Sequence, residues 1–245
     1  TETVIYAKLE GEQQKLYKAN LAKAKLEIGK EIREGGFESN KLAVLALLTR
    51  LRQICCHPAL CYEDYRQGSS KLEACMELIG EAVSGEHKVL VFSQFTSMLE
   101  LMEERLKMEG IPYYKLTGST PKEQRARLVE DFNREAEEGE PQEIKVFLIS
   151  LKTGGTGMNL TAADVVIHYD PWWNLAVQNQ ATDRAHRIGQ KKVVTVFKLI
   201  AKDSIEENIL KMQNDKKDLA DAILEGENGG IGKMSREELM ELIGK

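Results

Sequence analysis

Short apolar runs that alternate with amphipathic segments are the feature that most limits the fold of this chain. A run of about four Val, Leu, Ile or Phe residues bounded by turn-forming residues predicts a strand covered on both faces, as in parallel sheets. Five strands are predicted: Val89–Phe92, Tyr113–Leu116, Val146–Ile149, Val165–His168 and Val193–Leu199. Helical patterns or crossovers separate them, so the sequence predicts an α/β fold with a mostly parallel sheet flanked by helices.

Helices are expected on both sides of this alternating region. Glu12–Arg33 predicts a long surface helix stopped by Gly35-Gly36, and Ser39 is a candidate cap for a second helix that ends at Pro58. A long amphipathic helix is expected from Ile205 to Ile223. The predicted domains are a helical lead-in at 1–70 packed on the sheet domain, the sheet domain at 71–202, a bracing helix at 203–225, and a flexible linker with a short final helix at 226–245. Ser235 and Glu238 form a capping box for that last helix.

Composition excludes some classes of protein. The chain has 245 residues, a net charge of −5, and 34 basic against 39 acidic residues, so any contact with DNA must be a local patch. No apolar run reaches the length of a membrane span and no signal peptide is evident, which predicts a cytoplasmic protein without a membrane partner.

Three cysteines and a histidine lie close together in the chain, at Cys55, Cys56, His57 and Cys61. They could ligate zinc, but neighbouring helical side chains point about 100° apart and no second Cys-x-x-Cys pair closes a tetrahedron. Buried, reduced cysteines are the favoured interpretation, and no metal site is predicted.

A glycine-rich loop, Lys152–Gly157, directly follows the strand that ends at Ser150. At the carboxyl end of a parallel strand its backbone amides could meet phosphate oxygens, with Lys152 adding charge; a simple tight turn is the alternative. The loop matches neither the Walker pattern nor the dinucleotide fingerprint, and no Walker loop occurs elsewhere. The sequence therefore predicts no complete nucleotide-hydrolysing site within the chain.

Arg184 and Arg187 lie three residues apart and would share one face of a helix. Both guanidinium groups could stabilise charge on a phosphoryl group held by another domain, as arginine fingers do. A surface helix with salt bridges such as Asp183 to Arg187 is the alternative, and this pair alone does not decide between them.

Several motifs together resemble the C-terminal motor lobe of the Swi/Snf family, DNA-dependent ATPases of helicase superfamily two. They are LTRLRQICCHP at 48–58, KVLVFSQF at 88–95, LTGST at 116–120 with Arg125, SLKTGGTGMNL at 150–160, YDPWWN at 169–174 and QATDRAHRIGQ at 180–190. Their order and spacing cover most of the chain, and the absence of large insertions favours a bacterial protein. The resemblance implies a RecA-like lobe.

The resemblance also implies roles for particular residues. Gly157 and Asn159 would approach the nucleotide, Arg184 and Arg187 would be the fingers, and Gln180 would orient them. A further set would line the DNA backbone: Ser93, Gln94, Thr117, Gly118, Lys152, Thr153 and Gly154. Trp172 and Trp173 are expected to divide, one packed inward and one near the groove, with Trp172 the candidate for DNA contact.

The chain lacks the N-terminal lobe of the family, with its phosphate loop and its magnesium-binding acidic motif. Thr1 is therefore expected to lie within a longer polypeptide, whose N-terminal RecA-like lobe would hold most of the ATP and Mg²⁺. The expected partners are that lobe, double-stranded DNA and a DNA-bound protein that is remodelled, in the bacterial nucleoid. The fragment alone is expected to be inactive. Two alternatives remain open: an RNA helicase lobe, or a non-catalytic protein-interaction module.

Overall fold

The structure is a computed structural model that describes residues 1–33, 41–134, 143–155, 157–185, 192–215 and 235–244. Predictions that concern Gly35-Gly36, Ser39, the end of the bracing helix at 216–225 and the linker at 226–234 lie outside these residues. None of the described helices is both long and apolar enough to cross a membrane.

A six-stranded sheet with the order β1-β6-β5-β2-β4-β3 organises the fold. Its strands are β1 Glu2–Lys8, β2 Val89–Ser93, β3 Tyr113–Leu116, β4 Val146–Ser150, β5 Val165–His168 and β6 Thr195–Lys202. The four pairings among β2 to β6 are parallel. Each parallel pair needs a crossover, and helices supply most of these, as the alternating sequence pattern predicts. The α/β fold class is confirmed.

The described helices are α1 Gly11–Arg33, α2 Lys41–Cys56, α3 Ser70–Ser84, α4 Thr96–Met108, α5 Lys122–Asn133, α6 Leu175–Thr182, α7 Ile205–Asp215 and α8 Arg236–Leu242. Gly110 follows α4 at φ +69°, a left-handed conformation that suits glycine and ends the helix. Ser235 and Glu238 form the predicted capping box at the start of α8.

The first strand was missing from the sequence prediction. Residues 2–8 form β1 at an edge of the sheet, where the Val196 amide donates to the Thr1 carbonyl oxygen at 2.7 Å. Lys198 on β6 forms an ion pair with Glu2 at 2.6 Å. The run Thr3-Val4-Ile5-Tyr6 has strong strand propensity and was the available signal, but half of its side chains face solvent, so the run is not continuously apolar.

The chain divides into two compact units. The first comprises Thr1–Ile5, Leu72–Asp170 and Ala176–Leu199, and the second comprises Tyr6–Lys71, Pro171–Leu175 and Ile200–Lys245. In the first unit β2 and β4 are buried along their whole length, which matches their apolar composition. In the second, one apolar cluster draws on α1, α2, α7 and α8, with Ile28, Leu48, Leu51, Ile54 and Leu242 fully buried.

A buried ion pair lies beside that cluster in the second unit. Lys71 Nζ lies 2.5 Å from Glu206 Oε2, and neither side chain is exposed to solvent. Glu206 also accepts hydrogen bonds from the Ala201 amide, at 2.8 Å, and from the Cys56 thiol, at 3.8 Å. Burial of two charges is tolerated only where such contacts compensate for lost hydration.

Candidate functional site

The carboxyl ends of β2, β4 and β3 lie side by side in the first unit and carry three of the predicted DNA-contact segments. Ser93 of β2 is in register with Ser150 of β4, and Leu116 of β3 with Ile149 of β4. The residues at or just after these ends are here called the carboxyl edge: Ser93-Gln94, Thr117–Thr120, Ser150–Gly155 and Gly157. Adjacent strands are about 4.8 Å apart, so the fold brings together residues that are distant in sequence.

Ser93, the last residue of β2, and Gln94, which follows it, both contact a buried carboxylate. The Ser93 hydroxyl donates to Asp170 Oδ1 at 2.5 Å. The backbone amide of Gln94 donates to Asp170 Oδ2 at 3.3 Å. Ser93 Oγ also accepts the Phe95 amide at 3.2 Å, at the start of α4. Ser93 and Asp170 are fully buried, whereas Gln94 is half-buried. The Nε2 atom of Gln94 is nevertheless buried, so a hydrogen bond from its side chain to a ligand also requires that side chain to move.

The Thr117–Thr120 loop is held by hydrogen bonds within itself and by Arg125. The Thr117 amide donates to Thr120 Oγ1 at 3.0 Å. The Arg125 guanidinium donates to the Thr120 carbonyl at 2.7 Å and to the Gly118 carbonyl at 3.0 Å. Two donors on one planar group fix the loop, so that Gly118 is displayed to solvent.

The glycine-rich loop leaves β4 as a short 3-10 helix, Leu151–Gly155. The Thr153 hydroxyl donates to the Ser150 carbonyl at 2.6 Å and is buried, while Lys152 is exposed. Gly157 has φ +55°, so any other residue there would be strained. The loop thus contains a tight turn, the simpler alternative, and also presents Lys152 to solvent.

Asn159 and Leu160 follow this loop, before β5, and their backbone is held by contacts from other segments. The Asn159 carbonyl accepts from Asn133 Nδ2 at 2.7 Å, and the Leu160 amide donates to the Arg184 carbonyl at 3.0 Å. Gly157 and Asn159 are exposed. The chain next to the predicted nucleotide contacts Gly157 and Asn159 is therefore joined by a backbone hydrogen bond to Arg184, a predicted arginine finger that follows α6.

Arg184 is buried, with only 2% of its surface exposed, whereas Gln180 is exposed on α6. A contact between Arg184 and a phosphate requires its side chain to leave this position. Arg187 and His186 lie outside the described residues. The arginine-finger roles and the orienting role of Gln180 therefore stay predictions.

His168, at the end of β5, is a buried residue with no role predicted from sequence. Its Nε2 lies 2.8 Å from Thr182 Oγ1, and its ring stacks on Phe92 at 5.5 Å. Burial, with a smaller effect from the Lys198 charge, lowers the pKa of His168 to about 3. The imidazole is thus neutral at pH 7 and can donate through only one nitrogen.

The two tryptophans belong to the second unit. Trp173 packs against its apolar cluster, and the Arg52 guanidinium lies 4.5 Å from the Trp173 ring centroid. Trp172 is half-buried, and its carbonyl accepts from Gln213 Nε2. The inward packing of one tryptophan agrees with the prediction, whereas DNA contact by Trp172 stays a prediction.

The cysteine cluster makes contacts typical of structural residues. Cys55 and Cys56 are fully buried, and burial raises the pKa of Cys55. His57 Nδ1 accepts the Ala59 amide at 3.1 Å and so caps the 3-10 helix Pro58–Leu60. The Cys61 thiol donates to Gln53 Oε1 at 3.4 Å. Among the described residues, no group of three or more His, Cys, Asp or Glu is placed to hold a metal.

Sequence reasoning assigned no role to four residues that shape this site: Asp170, His168, Arg125 and Asn133. Asp170 and His168 could have been found, because His168 is the last residue of β5 and Asp170 lies two residues after it, at the edge where ligands of parallel sheets bind. Asn133 carries no such signal, since its partner at 159 is set by the tertiary fold.

Comparison with known proteins relates the chain to the C-terminal domain of helicases. The helicase conserved C-terminal domain matches residues 70–189. An uncharacterized ATP-dependent helicase of Mycoplasma pneumoniae is 38% identical over 240 residues, 98% of this chain and 22% of the relative. The putative ATP-dependent helicase/translocase YwqA of Bacillus subtilis is 44% identical over 208 residues, 82% of this chain and 22% of the relative. The chain thus spans about a fifth of the length of these relatives.

Two solved structures from Sulfolobus solfataricus share the fold. The SWI2/SNF2 ATPase C-terminal domain has a TM-score of 0.76 and 31% identity, covering 99% of this chain and 97% of that one. The SWI2/SNF2 ATPase core in complex with dsDNA has a TM-score of 0.76 and 32% identity, covering 99% and 50%. The chain therefore belongs to the helicase conserved C-terminal domain family. Within that family, it is a RecA-like C-terminal domain of the Swi/Snf type, as the sequence motifs predicted.

Proposed function

We propose that this chain is the C-terminal motor lobe of an ATP-dependent translocase on double-stranded DNA. The observation that carries the proposal is the carboxyl edge, where Gly118 and Lys152 reach solvent after the ends of two neighbouring parallel strands, β3 and β4. A backbone loop and one cation suit phosphate contacts that do not depend on base sequence, and the Gln94 side chain would join them once its Nε2 turns outward. The related Sulfolobus core was solved with dsDNA, which favours duplex DNA as the ligand.

The same lobe would complete a nucleotide site whose other wall lies in an N-terminal RecA-like lobe. Gly157 and Asn159 are exposed and could approach ATP, whereas Arg184 would have to turn outward first. Mg²⁺-ATP, bound mainly by the other lobe, would supply the phosphoryl group whose hydrolysis drives movement. Arg184 and Arg187 would stabilise the developing charge, and closure of the lobes would shift the grip on the backbone.

The proposal that this lobe supplies only one wall of the nucleotide site has a direct test. The purified 245-residue chain should hydrolyse ATP no faster than buffer, because it contains neither a phosphate loop nor a magnesium motif. In the longer polypeptide, Arg187→Ala should lower kcat by about 10³-fold or more while folding is retained. Arg127→Ala, an exposed arginine on α5, is the control. Robust ATPase of the chain alone contradicts the proposal, and unchanged kcat in Arg187→Ala favours a protein-interaction module.

Duplex DNA is the proposed ligand, and RNA is the competing one. Stimulation of ATPase by double-stranded DNA should exceed stimulation by double-stranded or single-stranded RNA of equal length. A preference for RNA would instead identify an RNA helicase lobe. We propose a bacterial, cytoplasmic, nucleoid-associated protein that acts on a DNA-bound partner.

A further inference from the structure

Helix α5 contacts both ligand-facing loops of the first unit through two side chains. Near its start, the Arg125 guanidinium donates to the carbonyls of Thr120 and Gly118 at 2.7 and 3.0 Å. These carbonyls belong to the loop proposed to contact DNA. At its end, Asn133 holds the loop proposed to meet the nucleotide.

The Asn133 amide makes two hydrogen bonds to that second loop. Its Nδ2 donates to the Asn159 carbonyl at 2.7 Å, and its Oδ1 accepts the Ala162 amide at 3.2 Å. The side chain therefore spans the turn between 159 and 162 as a donor and as an acceptor. Both hydrogen bonds fix the backbone and leave the Asn159 side chain available to a ligand.

The carboxyl end of α5, next to Asn133, is firmly held. Phe132 is fully buried and its ring lies 5.2 Å from that of Phe147 in β4. Lys88 Nζ donates to the Phe132 carbonyl at 2.7 Å and to the Arg134 carbonyl at 2.9 Å, which satisfies groups that a helix end leaves open. Arg125 and Asn133 are eight positions apart, about 12 Å along the axis. Because α5 is one continuous helix from Lys122 to Asn133, it forms a stiff connection between the two side chains.

We propose that Arg125 and Asn133 are positioning residues that link the DNA-contact loop to the nucleotide-contact loop through α5. DNA held at Thr117 and Gly118 would then restrict the backbone at Asn159 through the two side-chain clamps. The proposal rests on the proposed function for the identity of the two ligands. The link itself concerns only hydrogen bonds within this lobe.

Hydrogen exchange of the 245-residue chain tests the link with a short duplex DNA as the probe. The reporters are the Leu160 and Ala163 amides, which bond to the Arg184 and Leu160 carbonyls and not to Asn133. In the wild-type chain, DNA should slow their exchange at least twofold. In Asn133→Leu this response should vanish, while the DNA footprint at Thr117–Thr120 and the Kd stay within twofold of wild type.

Two further variants sharpen this experiment. Gln124→Leu changes an exposed amide on the same helix and should preserve the full response. Asn133→Asp keeps the acceptor for the Ala162 amide and loses the donor to Asn159, so it should give a reduced response even if Asn133→Leu does not fold. A response of wild-type size in Asn133→Asp or Asn133→Leu would overturn the link.

A second arm needs no DNA and so separates the link from the proposed function. Lysine cannot donate to two carbonyls as the arginine fork does. Arg125→Lys should therefore raise exchange at Leu160 and Ala163 about twofold or more, whereas Arg127→Lys should not. If this transmission occurs but DNA leaves no footprint, the link stands and the DNA-translocase proposal fails. If DNA leaves its footprint and Arg125→Lys does not affect the distant amides, the link is wrong.

Discussion

The Ser93 hydroxyl donates to the buried Asp170 carboxylate at 2.5 Å, which ties the end of β2 to the residue two positions after β5. The same carboxylate accepts a hydrogen bond from the backbone amide of Gln94. Ser93 was predicted to line DNA, but its burial favours an indirect role, in which Asp170 and Ser93 orient the backbone that carries Gln94. Direct DNA contact by Ser93 stays a prediction.

Asp170→Ala should destabilise the chain by about 1–3 kcal/mol, because the Ser93 hydroxyl and Gln94 amide lose a buried acceptor. Urea unfolding followed by circular dichroism measures this difference. Asp131→Ala, an exposed carboxylate on α5, is the control and should change the free energy of unfolding by less than about 0.5 kcal/mol. Equal effects of the two substitutions would contradict the assigned role of Asp170.

His168 should make stability depend on pH. Its pKa is lowered to about 3 in the folded chain, against about 6.5 when unfolded, so the unfolded state binds a proton first as pH falls. The contribution of the neutral His168 imidazole to the free energy of unfolding is complete above about pH 6.5 and is lost progressively toward pH 3. Between pH 7 and pH 5 the wild-type chain should lose about 2 kcal/mol more than His168→Gln, measured by urea unfolding. Parallel pH profiles for the two proteins would contradict a buried neutral imidazole.

The Lys71–Glu206 pair predicts strong coupling between two substitutions. Lys71→Met leaves Glu206 buried without its cation and should cost about 3–5 kcal/mol, whereas Lys71→Met with Glu206→Gln should cost markedly less. A double-mutant cycle in urea measures the coupling. Lys15→Met, which breaks an exposed pair with Glu12 at 4.0 Å, is the control and should cost less than about 1 kcal/mol. Additive effects of the two core substitutions would rule out this coupling.

Lys152 should act as one phosphate contact. Lys152→Ala should weaken binding of unrelated duplex sequences about equally and reduce the slope of log K against log salt by about 1. Fluorescence anisotropy at several salt concentrations measures both quantities. Lys122→Ala, an exposed lysine at the start of α5, should leave the slope unchanged. An unaltered slope in Lys152→Ala would remove this residue from the proposed interface.

The central strands could be predicted because their burial on both faces leaves a continuous apolar signal. The central strand Val165–His168 agrees with its predicted bounds, as does the half-buried edge strand Tyr113–Leu116, whereas β6 runs to Lys202, three residues past its predicted end. The edge strand β1 escaped prediction because the pattern of an edge strand resembles that of any half-exposed segment.

The site was less accessible to sequence reasoning. Motifs located the loops at the carboxyl edge, since loops after parallel strands are where ligands bind. They could not reveal that Ser93 and Thr153 face inward or that Arg184 is buried, because burial depends on partners such as Asp170 that are distant in sequence. The contacts of Asn133 could not be predicted for the same reason.

Segments of the two units alternate along the sequence, so neither unit can be produced as one continuous fragment of the chain. Residues 1–5 complete the sheet unit, although they precede the whole helical segment that ends at Lys71. A fragment that starts at residue 71 would therefore expose the backbone of β6 that β1 now covers, inviting strand exchange between molecules. Joining residues 1–5 to such a fragment through a designed connection is the rational route to an autonomous sheet unit.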